Sequence, residues 1–120
     1  MEIVKSYPAK LDKVELYKLT KAQGLSVKDL ADGAKLDVQT WAHYIDEVKG
    51  RDEEAKTRDV ISIIGTDSTG EVVKVTTISP TFIKSFLDVV EVMEEDPFTL
   101  RIIKSTSAKG REFVSCELDF

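Results

Sequence analysis

The chain has 120 residues, 42% of them hydrophobic and 32% charged, with a net charge of −5 at pH 7. That length fits one domain spanning residues 1–120 that buries its own core, and the composition excludes wholesale disorder. No apolar run approaches the roughly 18 residues of a membrane span, and Cys116 stands alone, so no internal disulfide can form and a reducing, cytoplasmic setting is expected.

Residues 1–11 lack the apolar stretch of a signal peptide. With Pro8 and little periodicity, they are expected to form a loose arm. Val14–Thr20 alternates well enough to predict an extra N-terminal strand. Gly24 to Gly33 reads as a connection with a helical turn near Ser26–Leu30. Asp37 to Val48 looks extended, since Thr40, Trp41, Tyr44, Ile45 and Val48 are good strand residues. Lys49 to Thr57 is charged, contains Gly50 and reads as a loop. Asp59–Ile64 is a short apolar strand, and Asp67-Ser68-Thr69-Gly70 is a turn in which Asp and Ser bond locally and Gly accepts positive φ. Glu71 to Ile78 is the returning strand.

The clearest helix follows. Ser79 is placed as its N-cap and Pro80 at its first position. Phe82, Ile83, Phe86, Leu87, Val90 and Met93 form one apolar face, and Asp96-Pro97 is expected to end it. Phe98–Lys104 and Arg111–Leu118 are two more strands around a loop ending at Gly110. From Asp37 the order is β-β-β-α-β-β, the order of a five-stranded OB-fold barrel. The fold class expected is therefore mostly β with one main helix.

Catalysis has little to work with. His43 is the only histidine, which removes a multi-histidine metal site, and Cys116 alternates with Val114 and Leu118 as a buried, inert thiol. Phosphate-cradling glycine loops are absent, and the carboxylates of residues 88–96 have no EF-hand spacing. No enzyme, cofactor or metal is expected.

Single-strand binding needs flat aromatic platforms and cations that follow the backbone. The acidity is local: Asp88, Glu91, Glu94, Glu95 and Asp96 are five of the 22 acids, leaving 17 basic against 17 acidic residues elsewhere, so a basic face is permitted. The two loops that border an OB-fold binding face carry Lys49, Arg51, Lys56 and Arg58, and then Lys104, Lys109 and Arg111. Phe113 is out of register with Val114, Cys116 and Leu118 and should point away from the face they bury; core packing is its competing use. Arg101 alternates likewise against Leu100 and Ile102, and Lys74 against Val73 and Val75. A regular strand separates Trp41 from Tyr44. A bulge would bring both to the binding side; without one, Trp41 is the platform and Tyr44 is core.

Ile78–Phe86, Ile103–Cys116 and the opening Leu16–Lys21 resemble small single-stranded DNA-binding proteins encoded by bacteriophages. The resemblance implies an OB-fold that binds single-stranded DNA during phage replication or recombination. It also implies assembly into homodimers or larger units and contact with replication or recombination proteins. Val60–Ile64 is the apolar edge considered for self-pairing. The competing function is a phage or mobile-element module that binds a protein, its acidic helix end mimicking a nucleic-acid backbone.

Overall fold

The computed structural model describes residues 1–49 and 55–120. Its elements in chain order are β1 (Glu2–Tyr7), α1 (Lys13–Thr20), β2 (Leu25–Ser26), a 3₁₀ turn (Val27–Asp29), β3 (Lys35–Lys49), β4 (Ala55–Asp67), β5 (Val72–Thr77), α2 (Pro80–Met93), β6 (Phe98–Thr106) and β7 (Glu112–Leu118). From β3 onward this is the expected β-β-β-α-β-β order, curled into an OB-like sheet. Strands lie side by side as β2-β5-β4-β3-β6-β7, with β1 beside β3. Among the described residues β2 and β7 are the two ends of that path, so the sheet stays open at the seam between them.

Alternation along β3 and β4 builds two cores on opposite faces. Trp41 lies opposite Ile63 and His43 opposite Ile61, while Ala42 lies opposite Ser62 and Tyr44 opposite Val60. The first face packs Trp41, Ile61 and Ile63 with Leu100, Ile102, Val114 and the α2 residues Phe82, Phe86 and Val90. The Trp41 and Phe86 rings meet edge to face, with centroids 5.3 Å apart. The second face gathers Ala42, Tyr44 and Val60 under Leu19, with Leu11 and Ile64 at its margin.

Several expectations are corrected. Val14–Thr20 is helical: the carboxylate of Asp12 accepts the Glu15 N–H at 2.8 Å, a helix cap, and Leu, Glu and Lys are good helix formers. Among the described residues there are thus two α-helices, and the additional N-terminal strand is β1, not residues 14–20. The arm expected at residues 1–11 is largely that strand, paired antiparallel to β3 from Glu2–Ile45 to Tyr7–Trp41. The loop predicted at 49–57 is strand at both ends, since β3 reaches Lys49 and β4 starts at Ala55; its residues 50–54 lie outside the described residues. Val60–Ile64 is no edge, since β4 pairs with β3 on one side and β5 on the other. Helix α2 stops at Met93, before Asp96-Pro97, because Glu94 turns to φ 54°. Ser79 occupies the N-cap position without a side-chain cap; its N–H donates to the Thr77 hydroxyl at 3.0 Å. Among the described residues no helix is long and apolar enough to cross a membrane.

Candidate functional site

A cleft of about 980 Å³ opens at the seam of the sheet. Its lining includes Lys28 from the 3₁₀ turn, Arg58 of β4, Thr76 and Ile78 at the end of β5, and Phe113 and Val114 of β7. Local structure fixes each contributor. The Ser26 hydroxyl accepts the Lys28 N–H at 3.3 Å and the Asp29 carboxylate accepts the Ser26 N–H at 3.0 Å, a capping box that holds Lys28 at the rim. Phe113 lies opposite Ser105, and its neighbours Val114 and Cys116 turn to the other face, where each is 5% exposed. Phe113 itself is 37% exposed. Gly110 accepts φ 80° in the tight hairpin turn, which positions Lys109 and Arg111 on either side.

Charge distinguishes the cations. Among the described residues Lys28, Arg58, Lys109 and Arg111 form no ion pair. Three other anticipated cations are occupied. Arg101 is paired with Glu117 and lies 3.6 Å from Asp119. Lys104 donates to the Lys28 carbonyl at 3.0 Å and lies 3.8 Å from Glu112, tying the hairpin to the 3₁₀ turn. The Lys74 ammonium donates to the Ala22 carbonyl, and its burial pushes its pKa below the ordinary lysine value. Arg101, Lys74 and Lys104 are thus engaged with other groups of the fold, unlike Lys28, Arg58, Lys109 and Arg111.

The two aromatic residues anticipated on β3 are corrected as well. Trp41 is 2% exposed in the first core and Tyr44 5% exposed in the second. The single β3 irregularity against β4 falls between Val38 and Thr40, ahead of both, so they keep opposite faces and neither ring offers a stacking surface. Lys49 ends β3, and Arg51 lies outside the described residues. Lys28 was missed by sequence reasoning, although Ser26 and Asp29 mark the ordered turn that carries it.

Two further reactive groups are engaged within the fold. His43 Nε2 sits 2.9 Å from an Asp59 oxygen as one cross-strand pair. Burial raises the Cys116 thiol to about 11, with the Ser85 hydroxyl 3.6 Å away. The cleft brings together an exposed aromatic face, the unpaired cations Lys28 and Arg58 and the acid Glu112, with Lys109 and Arg111 in the adjoining hairpin; a ring and cations are the elements that hold a base by stacking and phosphates by charge. The family model described as phage single-stranded DNA-binding protein, of the phi29 type, matches residues 6–119. Comparison with curated proteins and with solved structures finds no match.

Proposed function

The chain belongs to the phage single-stranded DNA-binding protein family, and on that premise we propose that it binds single-stranded DNA largely without regard to sequence. The carrying observation is Phe113, 37% exposed at a cleft that also holds Lys28 and Arg58. A base stacks on the Phe113 ring, a contact that any base can make. Phosphates on either side meet Lys28 and Arg58 within the cleft and Lys109 and Arg111 at the hairpin tip. Lys49 and Arg51 are further candidate phosphate contacts.

The setting of this activity is phage DNA replication or recombination in the cytoplasm of the infected cell. Assembly into homodimers or larger units belongs to the same reading; it is supported by β1, which among the described residues pairs with β3 alone and exposes Ile3, Val4 and Tyr7.

Binding of a labelled oligothymidine of about 30 nucleotides, followed by anisotropy, tests the proposal. Affinity should fall as salt rises, with a log–log slope of about −0.7 for each phosphate neutralised. Phe113→Ala should weaken binding by about 1–3 kcal/mol, the range for one lost stacking contact. No binding at micromolar protein, or equal affinity for duplex of the same length, would sink the reading and favour the acidic protein-binding module.

A further inference from the structure

Helix α1 presents a surface that core packing does not explain. Its buried side is narrow: Leu19 is 0% exposed beneath it, whereas Val14 and Tyr17 are 63% and 61% exposed on the outside. Val14, Tyr17, Lys18 and Lys21 follow i, i+3, i+4, i+7 spacing, so they share one helix face, and Lys13 lies one turn before Tyr17. Lys10, Lys13, Lys18 and Lys21 are exposed, and among the described residues none has an ion-pair partner. In an acidic protein of net charge −5, residues 10–28 carry five lysines against Asp12 and Glu15. Asp12 is occupied as the helix cap.

The chain leaving α1 leads to the seam cleft. The Ala22 carbonyl is held by the Lys74 ammonium of β5. At Gly24 a Cβ would meet the Lys74 carbonyl oxygen at 2.8 Å, so glycine lets this segment lie flush against the strand. Leu25 and Ser26 then pair with Val75 and Thr76, and two residues later Lys28 stands at the cleft rim. The segment that follows the α1 lysines is thus held along β5 and leads to Lys28 at the cleft.

We infer that the outward face of α1, with Tyr17 as a stacking ring and Lys13, Lys18 and Lys21 as phosphate contacts, is a second binding segment for the same single DNA strand that occupies the cleft. This rests on the proposed function and extends it from one stacking site to a track. An unpaired phenol surrounded by ammonium groups suits a base with its backbone, and the local positive charge selects a polyanion as the occupant. A strand long enough to leave the cleft passes over α1, whereas a very short oligonucleotide does not reach it.

The experiment compares anisotropy titrations with oligothymidines of about 6 and about 30 nucleotides. Tyr17→Ala and the double variant Lys18→Ala/Lys21→Ala should each lose about tenfold in affinity for the longer strand and bind the shorter one as the parent does. Lys84→Ala, which removes an exposed lysine from α2 and pairs in the native protein with Asp88 at 3.4 Å, should bind both like the parent. Circular dichroism and urea midpoints for the α1 variants should match the parent, since the side chains removed are exposed. Parent-like affinity of both α1 variants for the longer strand overturns the inference while leaving the cleft intact. Equal losses with the two lengths, or an equal loss in Lys84→Ala, also overturn it, because the effect would then lie in the cleft or in net charge. Failure of the parent protein to bind either strand removes the functional reading, and this inference with it.

Discussion

The two helices use their apolar residues in opposite ways. Helix α2 turns Phe82, Ile83, Phe86 and Val90 inward, where each is at most 7% exposed, and leaves its acids outside. Helix α1 buries only Leu19 and turns Val14, Tyr17 and a row of lysines outward. The inward helix fills the curl of the sheet: its removal would expose Trp41, Leu100, Ile102 and Val114 together. The outward one covers a small patch around Tyr44 and Val60 and spends most of its surface on solvent. One helix is there for stability, and the other supplies a charged, aromatic surface on a frame it does little to support.

The sharpest test of that contrast is truncation of one aromatic on each helix. Phe86→Ala should cost about 3–5 kcal/mol in urea unfolding, because Phe86 is fully buried against Trp41 and leaves a cavity. Tyr17→Ala should cost less than about 0.5 kcal/mol, as exposed positions do. Similar losses at the two positions would erase the distinction.

A smaller effect reports how closely α2 seals β7. The Cys116 N–H donates to the Ser85 hydroxyl at 3.2 Å, and burial raises the thiol pKa from 9.0 to about 11. The folded protein thus retains a proton that the unfolded chain sheds between those values, so stability falls as pH rises through that window, by at most about 2–3 kcal/mol. Lys74 acts in the opposite sense, since its lowered pKa lets the unfolded chain hold the extra proton. Urea midpoints of Cys116→Ala and the parent, compared at pH 8 and at pH 10.5, isolate the thiol; a parallel pH dependence in the two would mean that the seal is loose.

The cap of α1 ranks next. Asp12→Ala removes the acceptor of the Glu15 N–H and should cost about 0.5–2 kcal/mol. If α1 is the DNA-contacting element, that loss should also weaken binding of a strand of about 30 nucleotides more than it weakens binding of one of about 6. The last expectation is an absence of change: Trp41 is 2% exposed, so its emission should be blue-shifted, stay at the same wavelength when DNA binds, and move only on unfolding. A red shift on adding DNA would mean that the first core opens.

The order of elements from β3 to β7 was legible because its signals are local: strong alternation, a turn with Asp67 and Gly70, proline at the start of α2 and an apolar helical stripe. The outward setting of Phe113 was legible for the same reason, since a period of two decides facing within one strand. Residues 14–20 were not, because Val14, Leu16 and Lys18 fit an alternating pattern while Leu16 and Leu19 fit a helical one. The Asp12 cap and the second core under Leu19 decide between them. Tertiary structure alone also showed which cations are free. Arg101, Lys74 and Lys104 look as basic in sequence as Lys28, Arg58 and Arg111, and each is held by a group distant in the chain: Glu117, the Ala22 carbonyl and the Lys28 carbonyl. It likewise assigned Trp41 and Tyr44 to two separate cores, because around these two residues β3 has helix α2 on one side and α1 on the other, and covered on both faces there it has no exposed side on which to display a ring. From β3 to β7 the sequence by itself determined which segments are extended and which way neighbouring side chains point; the fold decided the rest, residues 1–20 included, and which faces stay open, because burial and ion pairing depend on residues that meet only when the sheet curls.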